Sequence, residues 1–192
     1  MILTRLIEFL EAKAGPKTVV VLVMAILPFN ALLFPIVGDK LEELSGYRLL
    51  DSLFSYSSSE AYHRIQAYGP SGRFLYLVSS WSIDFIYPLL YAFLLSFLLT
   101  LFLRRSYDAG SPIIRLQLLP FGMMVFDYVE NFLIAVLLAF FPTKITLLAQ
   151  AASFFTSLKW CFAAITFLAL IFAIVELLRA LSKGTKPKGD IP

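Results

Sequence analysis

Four ionisable side chains stand inside long apolar runs of this chain: Asp84, Asp127, Glu130 and Lys159. A charge at the centre of a membrane helix costs about 2.5–3.5 kcal/mol or more, so such residues are rare without a reason. Asp127, Glu130 and Asn131 stand at i, i+3 and i+4 and share one helix face. Two carboxylates one turn apart repel in a low-dielectric medium, so one of the pair is expected to hold a proton unless a cation stands beside them. Lys159 is the natural counter-charge. Three carboxylates against one lysine still leave a deficit that protonation, a metal or a cationic ligand would correct.

A second polar stripe runs through Arg73, Tyr76, Ser80, Asp84, Tyr87 and Tyr91, each three or four residues from the next, while Leu77, Phe85 and Leu89 take the opposite face. The ring of Pro88 crowds the carbonyl four residues back, that of Asp84. A freed carbonyl beside a carboxylate is a place for water, a cation or a hydroxyl donor. The two stripes and Lys159 define a candidate ligand site: Arg73, Tyr76, Ser80, Asp84, Tyr87, Tyr91, Asp127, Glu130, Asn131 and Lys159. Within it Asp84, Asp127 and Glu130 are the candidates for acid–base catalysis, because paired carboxylates with separated proton affinities can serve as base and acid. The competing reading is an interhelical polar network that only fixes helix order. HExxH, GxSxG and P-loop motifs are missing, and no resident metal or cofactor is expected. His63, the single histidine, lies beside Arg64 in a polar stretch and reads as a surface residue.

These residues need membrane elements to position them. The chain of 192 residues is 59% hydrophobic and 15% charged, where soluble domains are roughly 45–50% apolar and about 25% charged. The apolar excess is gathered into blocks long enough to span a bilayer, and the ten-residue alternating segments of a membrane β-barrel are missing. The expected fold is all-α: a polytopic four-helix transmembrane bundle with an amphipathic amino-terminal interfacial helix and a partly helical outer loop. Residues 1–15 form the interfacial helix, with Ile2, Leu6, Phe9 and Leu10 on one face and Glu8 and Glu11 arguing against a signal peptide. Residues 16–180 form the membrane domain, with spans at about 18–37, 74–103, 113–141 and 145–178. Residues 181–192 form a basic cytoplasmic tail. In the connection after the first span, Asp39 with Glu42 and Ser57 with Glu60 have capping-box spacing, and the second pair opens a helix that stops at Gly69-Pro70.

Lys and Arg gather on the terminal segments and the loop holding Arg104, Arg105 and Arg115. That bias predicts cytoplasmic termini in a plasma or inner membrane, with the long first loop outside. The net charge of +3 is modest and forms no nucleic-acid face. One cysteine, Cys161, excludes an internal disulfide and paired-thiol redox chemistry, and its apolar surroundings suggest packing. Three functions follow in order: binding or carrying a lipid-like or small amphiphilic molecule at the carboxylates, an intramembrane enzyme acting on such a molecule, and a non-catalytic accessory subunit of a membrane complex. The bilayer itself is the one partner the composition requires.

Overall fold

The computed structural model describes residues 2–108 and 110–182, so most of the basic tail expected at 181–192 lies outside the described residues. Six helices occur among them: α1 (Ile2–Lys13), α2 (Pro16–Ser45), α3 (Ser58–Ala67), α4 (Gly69–Leu103), α5 (Leu119–Phe140) and α6 (Thr146–Ser182). A 3₁₀ segment, Pro112–Leu118, leads into α5. Pro16–Ser45, Gly69–Leu103, Pro112–Phe140 and Thr146–Ser182 are 30, 35, 29 and 37 residues long and apolar enough to cross a membrane. About 20 residues suffice for a hydrocarbon core of ~30 Å, so the four helices carry the signature of a multi-pass membrane protein.

The helix of the first span runs past Val37 to Ser45, and Asp39 sits inside it instead of capping a new helix. Lys40 pairs with Glu43 at 2.9 Å along this last stretch, and Gly46 ends it at φ 74° with its N–H on the Glu42 carbonyl. A side chain would be strained at that left-handed angle, which is why the stop falls on a glycine. Pro28 precedes a π-helical segment, Phe29–Leu33, through which the helix continues, with the Phe34 N–H on the Phe29 carbonyl. At α3, Ser57 accepts the Glu60 N–H at 3.1 Å, whereas the Glu60 carboxylate turns to Arg64 at 2.8 Å; half of the expected capping box forms. Tyr68 caps α3, and Gly69, at φ 64°, turns the chain into α4.

The chain divides into two compact units, each taking a segment of every long helix. One holds the described residues of Met1–Ala25, Leu90–Met123 and Cys161–Pro192. In it Leu10 of α1 is fully buried with Phe97 of α4, and Leu99 and Leu103 of α4 pack with Ala169 and Ala173 of α6. Cys161, expected to pack, is exposed. Gly122 of α5 faces Phe162 of α6 so closely that a methyl group there would overlap the ring. Gly122→Ala is therefore expected to destabilise this unit by about 1–3 kcal/mol of overpacking, a loss only partly offset by the better helix propensity of alanine. Unfolding in detergent would check this; Phe162→Leu should recover part of the loss, and a neutral Gly122→Ala would mean that the ring simply turns aside.

The second unit comprises Ile26–Leu89 and Met124–Trp160. Its core joins Leu50 and Tyr56 of the first loop, Tyr62 and Ile65 of α3, Tyr68 that follows α3, Tyr76 of α4, and Ile134 and Leu137 of α5. Polar bonds lay the loop along α6. Ser153 accepts the Tyr56 N–H at 2.8 Å, and the Ser157 hydroxyl donates to the Phe54 carbonyl at 2.9 Å. The Tyr68 hydroxyl donates to the Arg48 carbonyl at 2.7 Å. The loop is thus a folded part of this unit, and it delivers residues to the site.

Candidate functional site

Lys159 organises the polar centre of the second unit. Its ammonium group lies 2.6 Å from Glu130 Oε2 and 3.7 Å from Asp127 Oδ1, and donates to the Asp51 carbonyl at 3.2 Å. Glu130 is its close ion-pair partner and the Asp51 carbonyl its hydrogen-bond acceptor, while Asp127 is a longer electrostatic contact. Glu130 is fully buried, and its second oxygen takes the Thr156 hydroxyl at 2.6 Å. Asn131 Nδ2 donates to Asp127 Oδ1 at 3.1 Å. The shared face in α5 thus meets the lysine of α6 as their spacing suggests: the i+3 and i+4 partners sit one turn from Asp127, at a level that Lys159 reaches.

Asp51 was not legible as a site residue. Its carbonyl accepts from Lys159 and, at 3.3 Å, from Trp160 Nε1, while its carboxylate accepts the Tyr76 hydroxyl at 3.1 Å. The 3₁₀ turn Leu50–Ser52 lowers this loop backbone onto the buried lysine. The one hint was an acid embedded in an apolar loop stretch, Leu49-Leu50-Asp51 followed by Leu53-Phe54. Tyr56 was missed as well. It is buried with its hydroxyl 3.5 Å from Thr156 Oγ1, and burial, reinforced by the charges of Glu130 and Asp51, pushes its phenol well above the usual range. A protonated Tyr56 can donate to the threonine oxygen, whose own hydrogen is committed to Glu130.

The stripe on α4 does not gather into one place. Asp84, Ser80 and Tyr76 are all buried in this unit, with Tyr76 turned to Asp51. Arg73 instead donates to the Ile65 carbonyl at 3.2 Å and lies over the Phe141 ring, 4.4 Å from its centroid. Tyr87 donates to Asn30 Oδ1 at 3.0 Å and packs edge-on against Phe34. Tyr91 is buried, but belongs to the other unit.

Asp84 differs from the other carboxylates. It is 8% exposed, yet among the described residues it has no hydrogen bond and no ion pair. It lines a cavity of about 230 Å³ together with Ser80, Trp81, Phe85, Tyr128, Asn131 and Phe132. Trp81, Phe85 and Phe132 are 58%, 56% and 55% exposed, so the cavity has aromatic walls on the outer surface of α4 and α5 and a polar floor. Tyr128 closes one side by donating to the Phe85 carbonyl at 2.7 Å, three residues ahead of Pro88. None of the described His, Cys, Asp and Glu side chains form a group of three or more suited to a metal ion. No protein-family model, curated protein or solved structure matches the chain.

Proposed function

We propose that this protein binds a small amphiphilic, lipid-like molecule inside the membrane. The polar end would sit at Asp84 and Asn131, and the apolar part among Trp81, Phe85 and Phe132. The observation that carries this reading is the Asp84 cavity: a concave site with apolar walls and a few convergent polar groups is the usual form of a small-molecule site. At about 230 Å³ it is smaller than the roughly 300–1,000 Å³ common for such sites, which suits a headgroup or a short amphiphile.

The Lys159 centre has a separate task in this reading. It joins α5, α6 and the first loop through the Glu130 ion pair and the Asp51 carbonyl, and so acts as a clamp behind the binding site. One carboxylate, Asp84, faces the cavity, which favours binding over a two-carboxylate acid–base reaction. The gathering of Lys and Arg on the terminal segments supports cytoplasmic ends, and with them a clamp toward the outer side.

Trp81 reports on the site. The chain has two tryptophans, so Trp160→Phe leaves Trp81 as the only one. In phosphatidylcholine nanodiscs, at least one of 4-bromobenzylamine, 4-bromobenzyl alcohol and 4-bromobenzoate is expected to quench Trp81 saturably. Filling the floor with Ser80→Leu should weaken that binding by about tenfold or more, the equivalent of one lost favourable contact of ~1.4 kcal/mol. Quenching that rises linearly with all three probes, with equal slope in both proteins, would mean bulk partitioning and would reject the site.

A further inference from the structure

We infer that the polar group accepted by this cavity is a hydrogen-bond-donating cation, a protonated amine, an inference that rests on the binding reading above. The argument is an inventory of donors and acceptors. The Ser80 hydroxyl donates to the Tyr76 carbonyl at 3.0 Å, and the Tyr128 hydroxyl to the Phe85 carbonyl at 2.7 Å. Both hydroxyls are spent on backbone, and the Trp81 indole N–H makes no hydrogen bond among the described residues. Asn131 offers its nitrogen to Asp127, an acceptor when ionised, and this fixes which way round the amide stands. Its Oδ1 is then buried with no donor, in a side chain only 6% exposed. Asp84 lines the same cavity as Asn131, 8% exposed and without hydrogen bond or ion pair among the described residues. Two unmatched acceptors, one of them a carboxylate, therefore share one cavity.

Buried acceptors without donors are costly, and a buried carboxylate without a counter-charge is costlier still. The protein's own nearby cation does not meet the need, because Lys159 is held by Glu130, Asp127 and the Asp51 carbonyl. An ammonium group meets all of it at once. It supplies donors to Asp84 and Asn131 Oδ1, balances the charge, and sits among aromatic faces, to which cations are attracted. A carboxylate or phosphate would place an anion against Asp84. A neutral hydroxyl would supply one donor and no charge.

The three brominated probes share a ring and differ in the polar group, so they separate this inference from the reading beneath it. 4-Bromobenzylamine, protonated at neutral pH, should bind at least about tenfold more tightly than the alcohol, since hydrogen bonds to charged groups exceed neutral ones by roughly that factor. 4-Bromobenzoate should show no saturable quenching. Asp84→Asn keeps shape and removes charge; it should weaken the amine by at least about tenfold and the alcohol by clearly less, because only the amine also loses its counter-charge. If that variant fails to fold, Asn131→Leu, which deletes the second acceptor, should weaken the amine more than the alcohol. Alcohol or benzoate binding as tightly as the amine would overturn the cation assignment and leave the binding site standing. Saturable binding by none of the three would remove both.

Discussion

Replacing Lys159 with methionine is expected to destabilise the protein by about 3–5 kcal/mol, the range seen when one partner of a buried ion pair is removed. Methionine keeps length and apolar bulk, so the loss would come from charge. The lysine is 7% exposed and faces Glu130 at 2.6 Å and Asp127 at 3.7 Å. Without it, two carboxylates one helical turn apart would remain in a medium that solvates neither. The reverse change is expected to be milder. Glu130→Gln leaves Lys159 with Asp127 and with the Asp51 carbonyl, and a glutamine oxygen can still accept the Thr156 hydroxyl. The double variant Lys159→Met with Glu130→Gln should therefore be more stable than Lys159→Met alone, a coupling that a double-mutant cycle reads directly. Reversible unfolding in mixed micelles would supply the four values. Equal stability of Lys159→Met and wild type would show that the clamp contributes nothing net.

Tyr76→Ala should cost a comparable amount, about 3–5 kcal/mol, as truncation of a large buried aromatic does. Tyr76 is fully buried and meets Tyr68 edge to face, with ring centroids 5.9 Å apart. Tyr76→Phe isolates the hydroxyl, which donates to Asp51 Oδ1 at 3.1 Å and accepts the Asp51 N–H at 3.3 Å. Its loss should cost about 1–3 kcal/mol, because Asp51 keeps a partly buried carboxylate with one fewer donor. The consequence reaches further than stability. Asp51 lends its carbonyl to Lys159 and Trp160, so freeing the Leu50–Ser52 turn should raise amide hydrogen exchange across it. Tyr76→Phe with unchanged exchange in this turn would show that core packing, not the hydroxyl, holds the loop down.

Much of this site could be read along the chain, and what could be read shares one property: it concerns residues on a single helix. Periodicity placed Asp127, Glu130 and Asn131 on one face of α5 because a turn brings i, i+3 and i+4 together whatever surrounds them. Lys159 followed as their counter-charge because it is the one cation among the four ionisable residues inside the apolar runs. The Ser57 cap and the glycine stop at Gly69 were local in the same sense. Apolar length alone marked four helices able to cross a membrane, since a ~30 Å hydrocarbon layer admits few other solutions.

The same reasoning overreached where it treated a stripe as a site. From Arg73 to Tyr91 a helix rises about 27 Å, far more than one small ligand spans. Arg73 accordingly serves α3 and Phe141, and Tyr87 serves Asn30. It also misread Asp39, whose spacing to Glu42 resembles a cap although no break in the helix precedes it. Composition, periodicity and length thus determined that this is an all-α chain with four long apolar helices and buried charges on them. Only the tertiary structure decided which charge is matched. Asp84, Asp127 and Glu130 are equivalent acids in an apolar run. Lys159, with three hydrogens to give, and the loop carbonyl of Asp51, 108 residues away in sequence, single out Asp84 as the one left facing a cavity. That choice depends on long-range loop closure and on donor geometry, and neither leaves a periodic trace in the order of residues.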